Sequence, residues 1–445
     1  MHTSRLLQAW LTTGDRAALL QPQPTVAFAA PGPALPAIAV DAVQTFQTIE
    51  GFGFCLTGGS AWLLSQLPPP ERLAVLRELF GAAGVAASVL RLSIGASDLS
   101  QFPFSYDERP AGEEDWELAY FDLFAGDAEV VPILREILAI RPDLKILATP
   151  WSAPRWMKTS PSWIGGSLRP ECQAVYAQYF VRYIEAMRRH GIPIHAMTPQ
   201  NEPLNDSNEP SMFMSAAEQA EFIQHHLGPA LRAAGLDTEI FCWDHNCDVP
   251  DYALQILEDK QAREYVAGSA WHLYGGDIAI LSKIQSAHPD KKLWFTEQWV
   301  GKDGAFGADL RWHGLHVLVG SMREGCGVVL EWNLAADADC GPHTPGGASA
   351  CVGALTLGGG FIERNVAYYL IAHAARFVPP GALRIASNDV GELRGVAFLT
   401  PLGQIALIVC NGGGGDAQSF AIEYQGQAAA VVLPGGALAT YVWSA

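Results

Sequence analysis

A chain of 445 residues, 49% hydrophobic and 17% charged, has the composition of a folded globular protein and not of a disordered or low-complexity one. Its formal net charge of −18 repels phosphate backbones, which argues against nucleic acid and suits a neutral ligand such as a sugar. The length accommodates a barrel of roughly 250 to 400 residues together with a small second domain.

In chain order, Pro24 to Thr48 is rich in Pro and Val and has no helical period. A first apolar strand is predicted at Gly53–Thr57, and Leu67-Pro-Pro-Pro then precedes a helix reading ERLAVLRELFG. Strands follow at Val89–Gly95 and Lys145–Pro150. Pro170 opens a helix that Gly191 ends, and a strand is predicted at Ala196–Glu202. Ser215 and Glu218 form a capping box for a helix running to Gly235. Four more strands are predicted at Glu239–Asp244, Ser269–Tyr274, Leu293–Glu297 and Val328–Asn333, making eight in all. Eight strands alternating with helices close a (β/α)8 barrel, the fold class expected here. From about Leu383 the chain alternates as antiparallel strands do, and Asn411-Gly-Gly-Gly-Gly-Asp416 is expected to form a hairpin loop. A phosphate loop would need a following helix and a Lys, and both are lacking. The expected domains are a catalytic barrel over 50–372 and a small β-sandwich side domain built from 1–49 and 373–445.

Eight Cys are scattered without a CxxC pair, so no structural zinc site is expected. Cys340 and Cys351 are near enough in sequence to bridge across a loop in an oxidising compartment, and free buried thiols are the alternative. No apolar run of about 18 residues occurs, so no membrane span is expected. The opening Met-His-Thr-Ser-Arg-Leu-Leu-Gln-Ala-Trp lacks an apolar stretch with a small-residue cleavage site. The chain is therefore expected either to stay in the cytoplasm or to be the trimmed form of a secreted or periplasmic protein. Of its thirteen Trp, most are expected in the core, and exposed ones suit the flat C–H face of a sugar ring.

Barrel active sites collect at the C-terminal ends of the strands, and two predicted strands end sharply on a glutamate: Glu202 in TPQNEP and Glu297 in FTEQW. A carboxylate at the end of an apolar strand is costly to desolvate unless function or pairing keeps it there. Two such groups facing each other suit cleavage of a glycosidic bond, one protonating the leaving oxygen while the other attacks the anomeric carbon. Either could instead be a cap or half of an ion pair. Asn208-Glu209-Pro210 repeats the tripeptide in a polar loop with no strand before it, so the tripeptide alone carries no weight.

At these residues the chain resembles the clan A retaining glycosidases of glycoside hydrolase family 30, which include glucosylceramidases and β-1,6-glucanases. The resemblance runs from about Gln44 to Val378 through IEGFGFCLTGG, LRLSIGASDLS, ATPWSAPRWMKT, TPQNEP, FTEQW and EWNLA. It implies a (β/α)8 barrel with a sandwich from both chain ends, Glu202 as acid/base and Glu297 as nucleophile. It further implies that Asn201 holds the sugar 2-hydroxyl, that Asp98 receives other hydroxyls, and that Trp151 lines the same subsite. Arg91 and Tyr274 match residues that hydrogen-bond near the nucleophile, and Trp332 matches a Trp under the sugar ring. Arg91 could equally be a buried ion-pair partner, Trp151 and Trp332 core, and Asp98 a turn cap. His245 and His272 are expected in core or supporting positions.

Two departures stand after the first strand, where Gly58 replaces an acid and Phe54 a small residue. The loop ADADCGPHTPGGASACVGAL is closer to the bacterial β-1,6-glucanase branch, and His343 within it is a candidate contact beyond the cleaved sugar. The expected function is retaining hydrolysis of β-glucosides, foremost the β-1,6 bonds of a glucan, with no metal or organic cofactor. The alternatives are a glucosylceramidase, an exo-acting β-glucosidase or β-xylosidase, and an inactive carbohydrate-binding protein.

Overall fold

The computed structural model describes residues 5–32 and 35–445. The chain begins with three strands, β1 (Leu6–Thr12), β2 (Gln21–Ala27) and β3 (Ala37–Thr48). Eight parallel strands follow: β4 (Gly51–Leu56), β5 (Val89–Ser93), β6 (Lys145–Thr149), β7 (Ala196–Met197), β8 (Glu239–Cys247), β9 (Val266–Gly276), β10 (Lys292–Glu297) and β11 (Cys326–Asn333). Each pairs with the next in sequence and β11 closes on β4, giving a sealed barrel. Closure leaves no open sheet edge, and its interior is filled by Val89, Leu147, Ala196, Phe241, Ala270, Trp294, Val328 and Leu330. These strands read as continuous apolar runs because parallel strands are covered on both faces.

The chain ends with β12 (Leu383–Ser387), β13 (Leu393–Leu399), β14 (Gln404–Asn411), β15 (Gln418–Tyr424), β16 (Gln427–Leu433) and β17 (Leu438–Ser444). They join β1–β3 in one nine-stranded sheet of order β2-β1-β17-β14-β13-β12-β3-β15-β16. A bridge between Ala29 and Ala428 brings its two ends together over a core that includes Leu7, Ile38, Val40, Leu407, Phe420 and Trp443. This is the sandwich expected from both chain ends. No helix among the described residues is long and apolar enough to cross a membrane, and the eight Cys, Cys340 and Cys351 included, are free buried thiols.

The helices follow their punctuation. Ser215 accepts from the Glu218 N–H while the Glu218 carboxylate takes the Ser215 N–H, as a capping box requires. The helix then runs through a π-turn at Ile223–Leu227 to Ala233, and Gly235 turns out of it at φ +63°.

Two expectations are corrected. The Asn411–Asp416 segment is not a hairpin loop: β14 and β15 are not neighbours, so the glycine run crosses from one part of the sandwich to the other. The crossing is held by Asn411, whose amide donates to the carbonyls of Asp416, Leu433 and Pro434. Alternating strands joined by a glycine run look alike in sequence whether or not they pair. The fourth barrel strand is also shorter than Ala196–Glu202. It ends at Met197, because Pro199 has no N–H for the ladder.

Candidate active site

Past Pro199 the chain leaves the barrel wall, and Glu202 adopts a left-handed backbone with φ +43°. Strand β8 does something similar, with Trp243 at φ +74° and Asp244 at φ +69° where its register with β9 slips. Such a backbone is strained for bulky residues and persists where the surroundings over-determine it. Here it turns both carboxyls into the barrel mouth.

Arg91, on β5 and without solvent exposure, organises the site from below. One guanidinium nitrogen donates to Glu297, and the other donates to Asp244 (2.8 Å) and Asn201 (2.6 Å). Trp151 and Trp332 stack on each other at 5.2 Å, and Arg91 lies over both rings. Asp244 also accepts from Thr198 and Thr296, each at 2.7 Å. With its other partners all donors, its contact with His272 Nε2 at 3.0 Å assigns a proton to that nitrogen. His272 Nδ1 then lies 3.1 Å from Glu202 Oε1 and 4.0 Å from Glu297 Oε1. Tyr274 donates its hydroxyl to Glu297 (2.9 Å), and Asn205 donates its amide to Glu202 (2.8 Å). Glu202, His272 and Glu297 each present one atom within 4.8 Å of the others, the one such trio among the described residues with spacing that could hold a metal ion.

Burial pushes the Glu202 carboxyl up, but the hydrogen bond and charge of His272, with His245 and Asn205, outweigh it and bring the pKa down to about 2. Burial pushes His272 down, yet Glu297, Asp244 and Glu202 raise it to about 9. His272 and Glu202 thus share one proton along this hydrogen bond, with His272 the favoured holder. Glu297 is raised, by burial first, against the pull of His272 and Arg91. Burial together with the charges of Glu297 and Glu202 lifts Asp98 to about 7.

These groups open into a cavity of about 490 Å³. Of the residues singled out from sequence, Asp98, Glu202, Tyr274, Glu297 and Trp332 line it. Arg91, Asn201 and Trp151 lie behind them and act through them. His343 is not among the lining residues, and its ring Nδ1 bonds the Thr344 carbonyl. Asp98 is held by the loop that contains His343. Thr344 donates its N–H to the Asp98 carbonyl (2.9 Å), and a Cβ on Gly347 would stand 2.2 Å from that oxygen, so only glycine fits there. Gly58 opens a helix capped by Thr57, and Phe54 is buried in the core.

Sequence reasoning did not single out Asp244, Asn205, Asn208, Asn246 or Trp299. Asp244 closes a predicted strand, as Glu202 and Glu297 do, but a left-handed backbone at Trp243 and Asp244 brings its carboxyl to the site. His272 is fully buried in a supporting place, while His245 lines the cavity.

Comparison with known proteins agrees with the barrel-and-sandwich fold. The model of the glycosyl hydrolase family 30 TIM-barrel domain matches residues 49–378, and that of the family's β-sandwich domain matches 381–441. An endo-1,6-β-D-glucanase of Aspergillus fumigatus is 34% identical over 427 residues, 89% of this chain and 85% of that protein. The lysosomal acid glucosylceramidase of Mus musculus is 26% identical over 427 residues, 90% of this chain and 82% of its own. Among solved structures, an endo-β1,6-glucanase matches with a TM-score of 0.90 at 34% identity, covering 99% of each chain. SrfJ from Salmonella typhimurium matches with a TM-score of 0.93 at 28% identity, covering 99% of this chain and 100% of its own.

Proposed function

The chain belongs to glycoside hydrolase family 30, and from that membership we propose that it hydrolyses the β-1,6 bonds of a glucan with net retention. The observation that carries the mechanism is a spacing: the facing oxygens of Glu202 and Glu297 lie within 4.8 Å. Retaining enzymes hold their two carboxyls about 5–5.5 Å apart, whereas inverting enzymes leave about 6.5–9.5 Å for a water molecule. The linkage rests on the relatives. Those named endo-1,6-β-glucanases are 31–35% identical, against 26–31% for those named glucosylceramidases.

Glu297 is the nucleophile. Arg91 and Tyr274 each donate to one of its oxygens, which orients the carboxylate toward the anomeric carbon. Glu202 is the acid, and its proton comes from His272 along the 3.1 Å hydrogen bond. Among the groups that favour the charged imidazole, Glu297 is the strongest. As Glu297 bonds to carbon and gives up its charge, His272 loses that support and releases the proton through Glu202 to the leaving oxygen. Glu202 is then ionised and takes a proton from the incoming water. When Glu297 departs as a carboxylate, that proton returns to His272. Asp98 fits as a hydroxyl partner of the bound glucose, with Trp332 beside its ring, while Asn201 holds Arg91 from behind.

The test has two parts. Proton NMR of products from a β-1,6-glucan should show the β-anomer first, and a 2-deoxy-2-fluoroglucoside should label the peptide that contains Glu297. An α-anomer, or a label on another residue, would overturn the mechanism. Faster turnover of glucosylceramide than of gentio-oligosaccharides would overturn the linkage.

A further inference from the structure

One end of the sandwich holds a hollow of about 810 Å³ that shares no residue with the catalytic cavity. Its walls come from the start of β1, the start of β14, the end of β17 and the turn between β15 and β16. The register places Gln8 opposite Val442 and Gln404 opposite Ser444. Paired residues share a face, and so do Val442 and Ser444, two apart on β17, so both amides stand on one face. Strand spacing and rise per residue put Gln8 and Gln404 roughly 12 Å apart, too far for one sugar ring to bridge. Gln425 and Gly426 make the two-residue turn, at φ +49° and +75°. Such a turn fits the strands that it joins, so the wall is preformed and binding there incurs little ordering entropy.

The chain carries 46 acidic residues, and none lines this hollow. Four glutamines do. Among the described residues only Gln425 has its side-chain amide engaged, accepting from Arg5 (2.8 Å) and donating to the Tyr424 hydroxyl (3.3 Å). Arg5 is the one charged side chain of the wall, and it is occupied by Gln425 and by the Tyr424 ring, 4.8 Å away. Trp443, itself 2% exposed, keeps its indole N–H in the wall without an acceptor. A buried donor left so is costly, and a ligand oxygen relieves it, directly or through a water. The amides of Gln8, Gln404 and Gln427 both donate and accept, as sugar hydroxyls do, and Leu6 and Val442 offer an apolar seat beside them. An anion would find a single guanidinium, already engaged.

We propose that this hollow binds a stretch of β-glucan without cleaving it, anchoring the enzyme on its polymeric substrate. The proposal rests on the glucan reading above. With no Asp or Glu in its wall, the hollow supplies neither the acid nor the nucleophile of hydrolysis, so it holds and does not cut.

The experiment follows the full chain through native gels containing a linear β-1,6-glucan, in the Glu297→Gln background so that the polymer stays intact. Gln8→Ala combined with Gln404→Ala should raise the dissociation constant about tenfold, the scale of two lost hydrogen bonds. Gln427→Ala alone, on another strand, should raise it by a smaller factor, so the test does not depend on one variant folding. With Glu297 restored, the same variants should raise KM on the polymer and leave kcat in place. Gentiotriose, too short to reach both sites, should be hydrolysed within about twofold of wild type. Undiminished retardation in both variants, an equal loss on gentiotriose, or displacement of the glucan by inorganic phosphate would each overturn the proposal. Retardation by a β-1,3-glucan in place of the β-1,6-glucan, still weakened in the variants, would keep the site and count against the β-1,6 reading instead.

Discussion

The two ends of the barrel both gather charged groups, and they differ in balance. At the bottom, Glu50 pairs with Lys145 (2.5 Å) and Lys292 (3.2 Å), Lys292 pairs with Glu239 (2.8 Å), and Trp294 donates to Glu50 (2.9 Å). Two lysines meet two carboxylates. Burial pushes Glu50 up, but Lys145 and Trp294 prevail and its pKa is lowered. Burial pushes Lys292 down, and Glu239 with Glu50 more than reverses it. At the top, Arg91 and His272 face Asp98, Glu202, Asp244 and Glu297, two bases against four acids. There Asp98 and Glu297 are raised, and a proton is shared. The bottom also carries larger hollows, about 760 and 840 Å³ against about 490 Å³ at the top. Unbalanced buried charge marks the chemistry better than the size of a hollow.

The sharpest way to break this comparison is Glu297→Gln. Activity should fall by roughly 10⁴-fold or more, as on loss of a covalent nucleophile. Stability at neutral pH should rise, because burial disfavours the charge that is removed. Rates and urea midpoints measured together decide it, and a fall in both would mean that the top is as well balanced as the bottom.

Asp244→Asn comes next, with an expected loss of about 10²–10³-fold in kcat/KM, since Asp244 orients both Arg91 and His272. The sign of its pH effect follows from the shared proton. His272 is raised to about 9, so activity should be lost as pH climbs through that region. Asp244 is one source of that rise, so the variant's alkaline limb should move to lower pH. A limb that stays in place would separate His272 from the acid step.

A smaller effect is expected at the bottom. Glu50→Gln should leave kcat/KM within a few-fold, because Glu50 lies at the opposite barrel end from the cavity. It should lower stability by about 1–2 kcal/mol, since Lys145 and Lys292 lose a half-buried partner. A large loss of activity would show that the two ends are coupled.

The barrel was legible because buried parallel strands write themselves as apolar runs with caps and glycines between. Glu202 and Glu297 were legible because an acid ending such a run stands out. The Asn208 loop was not: read alone, Asn208-Glu209-Pro210 served only as a contrast to the strand-borne copy, and its place on the cavity wall depends on Thr344 and Gly346, far along the chain. Asp244 was hidden differently. It closes a predicted strand, but its carboxyl reaches the site only through a left-handed backbone at Trp243 and Asp244, which alternation does not foretell. The glycine run after Asn411 failed for a third reason, since pairing between strands is non-local.

A last prediction concerns a group at neither barrel end. His373 lies on the helix Val366–Ala375, buried where barrel meets sandwich, and its ring joins Thr12 (2.8 Å) and Thr440 (2.9 Å). Thr440 donates its own hydroxyl to the His373 carbonyl, so His373 Nδ1 must carry the hydrogen. Thr12 accepts the Leu20 N–H and is free to donate to Nε2. The ring is therefore satisfied as a neutral imidazole, and burial holds its pKa down to about 3. The unfolded chain, with an ordinary value of about 6.5, binds the proton first. This part of the stability is complete above about pH 6.5 and is lost progressively as pH falls toward 3. Between pH 7 and 4.5 the loss should be on the order of 2–3 kcal/mol. His373→Gln keeps one donor and one acceptor but cannot titrate. It should be less stable than wild type at pH 7 and lose less between pH 7 and 4.5. Equal losses in both proteins would place the acid sensitivity elsewhere, with His195 and His245 the next groups to replace, since burial lowers both.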